Sequence, residues 1–212
     1  MYLCSMNPKA QHILEQVRIL YQKYGIKSIT MDDVASHLCI SKKTIYEFFS
    51  DKEDLVQHVL LAEHDRNCNF LDTIEQQRLN AIEELFEVYK MISMVFKEYN
   101  PSMVYDVRKY YPDLFMKIRN VRRKRLYKTV YKNLNKGKRE GLYRKELDAK
   151  IIARLHVLRH ETLFDNDMFT QEEVGSFRMF HEVFVYHLHG ILSHEGRIFF
   201  ESNFARFREA LG

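Results

Sequence analysis

The sequence has few of the residues that interrupt regular secondary structure. Seven glycines and three prolines occur among 212 residues, which is under 5% of the chain, against roughly 12% in average usage. Turn-rich β-sandwiches and glycine-rich phosphate-binding folds are therefore disfavoured. The scarcity predicts a mostly helical protein, and the length is that of one domain or two small ones.

Cysteine is scarce, and long apolar runs are absent. Cys4, Cys39 and Cys68 are odd in number and form no CxxC pair, so they predict no disulfide framework and fit a reducing compartment. Nowhere do 18 apolar residues follow one another, which argues against a membrane-spanning helix. The first residues lack the basic and apolar regions of a secretory signal. We expect a soluble, cytoplasmic protein with no membrane partner.

Charge is distributed unevenly along the chain. The overall net charge is +4, but it is 0 over residues 1–60, −5 over 61–107, +13 over 108–145 and −4 over 146–212. The basic segment carries a dense set of cations: Arg119, Arg122, Arg123, Lys124, Arg125, Lys128 and Lys132. A solvated outer helix face explains such a set. Attraction to DNA and binding of a phosphate-bearing effector such as an acyl-CoA are the alternatives.

Apolar residues recur every three or four positions, which is the period of an α-helix. They predict helices over 9–24, 31–38, 41–49, 52 into the seventies, 81–99, 101–110, 112 to the glycines at 137 and 141, 148–165, 170–193 and 198–211. The second and third of these are short and joined by a tight turn, as in a helix-turn-helix unit. The predicted fold class is all-α, with a helix-turn-helix domain over residues 1–54 joined directly to a larger helical domain over 55–212.

Residues 29–55 carry a specific pattern of caps and of apolar and polar positions. The pattern ends in Tyr-x-x-Phe-x-x-Lys-x-x-Leu, formed by Tyr46, Phe49, Lys52 and Leu55. This segment closely resembles the DNA-binding segment of the TetR family of bacterial transcriptional regulators. Residues 188–197 resemble, more weakly, the end of the family's C-terminal helix.

The resemblance implies a ligand-responsive regulator, acting as a repressor, that binds a palindromic double-stranded DNA operator as a homodimer. It also implies that residues 55–212 form an effector-binding and dimerisation domain. The phenylalanines and leucines of the predicted helices over 148–165 and 170–193 suggest that these helices pair with their mates as a four-helix bundle.

Seven residues are candidates for DNA binding: Thr30, Ser41, Lys42, Lys43, Thr44, Tyr46 and Lys52. Two hydroxyl residues of this set precede helix N-termini, whose free N–H groups can hold a phosphate. The adjacent lysines and threonine occupy the first turn of the recognition helix, from which lysines can reach guanine O6 and N7. The tyrosine can donate its hydroxyl to the DNA backbone, and the last lysine can pair with a phosphate. The resemblance assigns matching roles to these positions.

Two positions depart from the family's usual pattern. Cys39 stands in the turn between the second and third helices, where the family usually has glycine. We therefore expect backbone strain or a different turn at that place. Lys43 replaces a residue that is frequently small or glycine, and we expect it to alter or strengthen base contact.

The resemblance also implies a cavity between the fifth to seventh helices that binds a small inducer. Soft and aromatic side chains suit an apolar ligand. The candidates for lining the cavity are Phe86, Tyr89, Met94, Tyr105, Phe115 and Tyr127. Ordinary core packing is the alternative for such side chains.

Other classes of function have weaker support. The sequence has no GxSxG, HExxH, Walker or dinucleotide fingerprint, so we expect no enzyme activity, no catalytic residue, no cofactor and no metal. His156 and His160 have a spacing that can bind a metal, but no third ligand is near in sequence. A cysteine redox sensor lacks a resolving pair. A helical small-molecule or protein-binding module without operator recognition remains the alternative function.

Overall fold

The structure is a computed structural model, and it describes residues 6–97, 101–162, 168–174 and 176–203. The helices of these ranges are α1 Pro8–Tyr24, α2 Met31–His37, α3 Lys42–Tyr46, α4 Lys52–Gln76, α5 Ala81–Lys97, α6 Pro101–Tyr110, α7 Pro112–Arg139, α8 Ala149–Thr162, α9 Gln171–Val174, α10 Phe177–Ile191 and α11 His194–Ser202. The all-α prediction is confirmed. Within the same ranges no helix is long and apolar enough to cross a membrane.

The helices divide into two compact units. The first comprises Met1–Phe70 and Tyr99–Arg122, and the second comprises Leu71–Glu98 and Arg123–Gly212. Helices α4 and α7 contribute residues to both units. The first unit thus contains α6 and the start of α7 in addition to the predicted helix-turn-helix. The predicted boundary at residue 54 separates domains by function, whereas the two units are defined by compactness alone. The boundary therefore stays a prediction.

The first unit begins with a helix whose ends follow from its sequence. Pro8 occupies the first turn of α1, where its missing N–H is not needed, and the Asn7 side chain accepts a hydrogen bond from the Lys9 N–H at 2.9 Å. Gly25 stops the helix at a φ of 78°, which glycine adopts without a Cβ clash. One face of α1 is buried and packs in the core of this unit.

The core of the first unit unites helices that are distant in sequence. Apolar side chains of α1 to α4 pack with Met103 and Val107 of α6 and with Leu114 and Ile118 of α7. At about 25 cal/mol per Å² of apolar surface, burial of this kind is the main stabilising contribution to a small domain. The core therefore attaches α6 to the helix-turn-helix.

The second unit is built around aromatic rings. Tyr89 of α5 lies with its ring centroid 4.4 Å from that of Phe184 and 5.0 Å from that of Phe180, both on α10. Its hydroxyl is 3.0 Å from Nδ1 of His181, so the buried ring has a polar partner as well as stacking contacts. Desolvation raises the pKa of Tyr89.

Two predicted helix ends are wrong. Helix α3 ends at Tyr46 and not at Phe49, because the Phe48 N–H bonds back three residues to the Ile45 carbonyl and tightens the last turn. Gly137 lies inside α7, which continues to Arg139. The chain turns at Gly141 instead, where φ is 77°.

The predicted helix over 170–193 is two helices. The Ser176 side chain accepts a hydrogen bond from the Met179 N–H at 3.2 Å and starts α10 anew after the short helix α9. The last predicted helix begins at His194 rather than Ile198, because Ser193 caps it through the Gly196 N–H. Its predicted remainder, residues 204–212, lies outside the described residues.

Candidate DNA-binding surface

Helix α2 has a complete capping box at its N-terminus. The Thr30 hydroxyl oxygen accepts a hydrogen bond from the Asp33 N–H at 3.2 Å, and the Asp33 carboxylate accepts one from the Thr30 N–H at 2.8 Å. This reciprocal pair satisfies two backbone donors. The hydrogen bonds from Thr30 lower the pKa of the exposed Asp33 carboxyl. The rigid cap keeps Thr30 exposed at the start of the helix.

The turn from α2 to α3 passes through the left-handed backbone region. Cys39 has a φ of 53°, and the Ile40 N–H bonds to the Ala35 carbonyl at 3.0 Å. This is the bond pattern of a Schellman motif, which usually places glycine at the left-handed position. The strain expected at Cys39 is therefore present as a positive φ.

The short helix α3 presents the predicted recognition residues. The Ser41 hydroxyl oxygen accepts a hydrogen bond from the Thr44 N–H at 3.1 Å and caps the helix. The ammonium of Lys42 pairs with the Asp32 carboxylate, and the hydrogen bond that it donates to that carboxylate raises the pKa of Lys42. Lys43 is exposed and Tyr46 is 47% exposed.

Buried residues hold α3 in place from behind. Ile45 and Phe49 are fully buried in the core of the first unit, and the Phe49 ring makes an edge contact with the ring of His58 on α4 at 5.3 Å. The polar side chains of α3 lie on its other side. The local arrangement is a helix held by its apolar face, with Lys43 and Tyr46 accessible to a partner.

Lys52 lies differently from the other six candidates. Its side chain is half-buried, and its ammonium donates a hydrogen bond to the Lys27 carbonyl at 3.4 Å. Desolvation, followed by the charge of Lys27, lowers the pKa of Lys52. The ammonium of Lys52, for which a phosphate contact is predicted, thus contacts the loop between α1 and α2 in this structure.

Sequence reasoning missed one residue of this region, Asp106. It lies on α6 and is 8% exposed, and it is a buried charged residue among the apolar core of the described chain. Its Oδ2 accepts a hydrogen bond from the Lys27 N–H at 2.7 Å across 79 residues of sequence. No sequence pattern predicts this contact, because the two residues are far apart in sequence and belong to no common motif.

The first unit matches a known family over its helix-turn-helix. Residues 13–59 match the model for bacterial regulatory proteins of the tetR family. This range contains α2, α3 and the start of α4, and with them all seven candidate residues. Over these residues the chain is similar to the TetR family.

This chain is also similar to a curated protein. It is 29% identical over 107 residues to the "Uncharacterized HTH-type transcriptional regulator YvaF" of Bacillus subtilis (strain 168), and the match spans 49% of this chain and 54% of that relative. The chain thus spans about half the length of the curated relative that it matches.

Solved structures share the fold. A transcriptional regulator from Cytophaga hutchinsonii has a TM-score of 0.73 at 20% identity, covering 88% of this chain and 100% of its own. AibR, solved in complex with isovaleryl coenzyme A and operator DNA, has a TM-score of 0.52 at 16% identity, covering 78% of this chain and 93% of its own. At these identities the likeness concerns the fold alone.

The six candidate ligand residues do not all belong to one cluster. Phe86, Tyr89, Met94 and Tyr127 belong to the second unit of the chain, whereas Tyr105 and Phe115 belong to the first. Phe86 and Tyr89 lie together in the core, with ring centroids 6.5 Å apart. Tyr127 instead stacks on Tyr131, and Met94 and Tyr105 are exposed. Binding of a ligand by these residues stays a prediction.

A surface cavity of about 550 Å³ lies elsewhere in the second unit, and mostly polar residues line it. They are Gly141, Tyr143, Arg144, Lys145, Glu146, Leu192, Ser193, His194, Glu195 and Arg197. None of the candidate ligand residues belongs to this lining.

The histidine and cysteine candidates take part in local contacts. Nδ1 of His156 lies 3.1 Å from the Arg159 guanidinium, and its ring centroid is 4.6 Å from that of His187. The side chain of His160 and all of Cys4 lie outside the described residues. Among the residues that are described, no group of three or more histidine, cysteine or acidic side chains is placed to hold a metal.

The basic helix α7 is partly neutralised by carboxylates of the second unit. Arg123 pairs with Glu161 at 2.6 Å, Arg125 pairs with Asp72 at 2.7 Å, and Lys132 pairs with Glu75 at 2.8 Å. A fourth pair joins Lys136 to Glu84 at 2.6 Å. These pairs support the interpretation of the basic segment as a structural, solvated helix face.

Proposed function

We propose that this protein is a transcriptional repressor of the TetR family that binds a palindromic operator as a homodimer and releases it when a small molecule binds. The observation that carries the proposal is the arrangement of α3. Its apolar face is locked into the core by Ile45 and Phe49, while Lys43 and Tyr46 are exposed. A helix held in this way can place its first turn in the major groove.

The near-zero net charge of residues 1–60 supports dimeric binding. Non-specific DNA affinity depends on the number of phosphates that cations neutralise, and this segment has as many acidic as basic residues. A single helix-turn-helix domain of this kind has little electrostatic affinity for DNA. Two such domains, placed one DNA turn (roughly 34 Å) apart in a dimer, double the number of base and phosphate contacts.

Exposed apolar residues of α8 support the homodimer. Ile151, Leu155 and Leu158 follow one another at helical spacing, and all three are more than half exposed. Exposed apolar stripes of this kind mark interaction surfaces. We assign the stripe to contact with a second copy, in agreement with the predicted pairing of the last long helices.

The proposed effector is an apolar small molecule. The rings around Tyr89 make the core of the second unit rich in aromatic side chains, and side chains of this kind suit an apolar ligand. The structurally similar AibR was solved with an acyl-coenzyme A and operator DNA, which supports the same division of roles here. The effector shifts the equilibrium only if its affinity differs between the DNA-binding and released conformations.

Fluorescence anisotropy tests operator recognition. The DNA upstream of the protein's own gene is compared with a scrambled duplex of the same composition at two salt concentrations. We expect the native duplex to keep its affinity at the higher salt better than the scrambled one, because base contacts release no counterions. The double variant Lys43→Ala/Tyr46→Ala should bind the native duplex at least tenfold more weakly, since each good base contact contributes about 1–3 kcal/mol.

The control variant is Lys124→Ala, which removes an exposed lysine of α7. It should keep the wild-type affinity, and both variants should keep the wild-type melting temperature. Equal, steeply salt-dependent binding to both duplexes would contradict recognition of this operator. Absence of DNA binding by the wild type at every salt concentration would favour the binding module without operator recognition.

A further inference from the structure

Two lysines of the first unit are held against exposed tyrosine rings. The Lys27 ammonium lies 4.5 Å from the ring centroid of Tyr110, and the Lys109 ammonium lies 5.2 Å from that of Tyr105 and 5.5 Å from that of Tyr110. Tyr105 and Tyr110 are 52% and 40% exposed. We call Lys27, Tyr105, Lys109 and Tyr110 the lysine–tyrosine patch.

The ammonium groups of the patch form no ion pair with the described residues. In the part of the chain that the structure describes, neither Lys27 nor Lys109 pairs with a carboxylate, and the Lys109 ammonium donates a hydrogen bond to the Tyr105 hydroxyl at 2.8 Å. That hydrogen bond raises the pKa of Lys109. The paired cations of α7 present the opposite case. The patch therefore has two positive charges available to an anion.

The patch adjoins the candidate DNA-binding surface within the first unit. The carbonyl of Lys27 accepts the hydrogen bond from the Lys52 ammonium, and Lys27 precedes Thr30 by three residues. The buried carboxylate of Asp106 fixes the Lys27 backbone from the side of α6. Lys27 thus links α6 to the N-termini of α2 and α4, on which DNA-binding candidates lie.

The tyrosine rings also restrain the lysine side chains before an anion binds. A cation over an aromatic ring is attracted to its face by about 0.5–1 kcal/mol at an exposed site. A lysine side chain that is already restrained loses less conformational entropy when it contacts a ligand. Tyrosine hydroxyls can donate hydrogen bonds to phosphate oxygens, and such contacts position a protein on DNA. Unpaired, restrained cations beside exposed tyrosines suit a chain of phosphates.

We propose that the lysine–tyrosine patch binds the DNA backbone outside the base pairs that α3 reads, so that α6 is part of the DNA interface. This inference rests on the proposed function and deepens it. The patch would hold phosphates flanking each half-site, and it would contribute affinity that depends on salt but not on the flanking sequence.

Two operator lengths test the proposal. The wild-type protein first selects its operator from a random-sequence library, and the selected palindrome is prepared alone and with about one helical turn, roughly 10 base pairs, added on each side. Affinity is measured by anisotropy over a range of salt concentrations. The test variant is Lys27→Gln/Lys109→Gln, and the control is Lys124→Gln/Lys128→Gln, which removes two exposed lysines of α7.

On the long duplex the test variant should bind roughly tenfold more weakly near 0.15 M salt. The slope of log affinity against log salt should become shallower by about 3.6, or 0.9 for each of the four phosphate contacts that the two protomers lose. On the short duplex the test variant should match the wild type. The control should match the wild type on both duplexes.

Two results would overturn the inference while leaving the proposed function intact. One is an equal loss on the long and short duplexes, which would place the lysines at the operator core. The other is no loss on either duplex. Failure of the wild type to select any sequence would instead count against the proposed function itself, and the inference would fall with it. Melting curves of both variants establish that they are folded.

Discussion

Cys39 has an unusual backbone conformation for a residue with a side chain. Its φ of 53° in the turn before α3 brings Cβ close to backbone atoms, which costs a non-glycine residue roughly 1–2 kcal/mol. Cys39 is exposed and its thiol makes only a long contact, 3.8 Å, to the Ser36 carbonyl. Little side-chain packing therefore offsets the strain.

We expect Cys39→Gly to raise the free energy of unfolding by about 0.5–1 kcal/mol, because relief of strain exceeds the entropy that glycine adds to the unfolded chain. Denaturant titration measures the change. The same substitution at Cys68, which lies within α4, should instead lower stability by about 1 kcal/mol or more. A loss of stability for Cys39→Gly would show that the left-handed turn is not strained.

His187 makes the stability of the second unit depend on pH. Burial, and then the charge of Arg159, lowers the pKa of His187 to about 4, against about 6.5 in an unfolded chain. Between these two values the unfolded chain binds a proton that the folded protein does not bind. The free energy of unfolding should therefore fall as the pH decreases from about 6.5 to about 4, and this contribution should not change further below pH 4.

The expected loss is about 2 kcal/mol, since the ring retains some exposure and the full shift overstates its effect. Urea titrations at several pH values measure it. In His187→Gln this part of the pH dependence should disappear, whereas His194→Gln, which changes an exposed histidine, should retain it. An unchanged pH profile in His187→Gln would assign the acid sensitivity to other groups.

At the scale of elements, α7 and the chain that follows it pack through Gly137. A Cβ at Gly137 would lie 2.1 Å from the ring of Tyr143, which is fully buried. The Tyr143 hydroxyl lies 3.0 Å from both the Ala81 carbonyl oxygen and Asn133 Oδ1, so the ring cannot move aside without breaking buried polar contacts. The glycine is needed for this close approach.

We expect Gly137→Ala to lower the free energy of unfolding by about 2 kcal/mol, because overpacking outweighs the better helix propensity of alanine. The matched control is Gly190→Ala in α10, where a Cβ meets no atom within 4 Å. It should raise stability by roughly 0.5–1 kcal/mol. Thermal melts distinguish the expected loss of stability in Gly137→Ala from the expected gain in Gly190→Ala. A stabilising Gly137→Ala would show that Tyr143 can repack.

At the scale of the whole molecule, the proposed dimer depends on the α8 stripe. Leu155 is 54% exposed in the isolated chain, and a charge at its position would have to be desolvated in a dimer without a partner. We expect Leu155→Glu to weaken association by about 3 kcal/mol or more, roughly a hundredfold.

Sedimentation at micromolar concentration tests this expectation. The wild type should sediment as a dimer and Leu155→Glu as a monomer. Met116→Glu, which changes an exposed apolar residue of the first unit, is the control and should remain dimeric. A monomeric wild type would remove the basis for paired recognition helices.

Features that depend on local chemistry could be predicted from the order of residues alone. Apolar periodicity and capping residues such as Thr30 and Ser41 predicted the short helices of the helix-turn-helix. The pattern of caps and apolar positions through Leu55 predicted the resemblance to the family. These features act within a few residues, because helical hydrogen bonds and caps join near neighbours. The end of α3 was predicted wrongly because the Phe48 N–H bonds back to the Ile45 carbonyl. The end of α7 was predicted wrongly because Gly137 lies inside the helix, where it packs against Tyr143.

Contacts between residues that are distant in sequence follow from the packing of the folded chain. Asp106 contacts Lys27 across 79 residues, and Tyr110 contacts the same lysine. This packing also decided that Phe86 and Tyr89 are core residues of the second unit while Tyr105 is exposed in the first. The identity of a residue does not specify which distant residue it will contact. Burial and charge pairing between helices depend on how the whole chain packs.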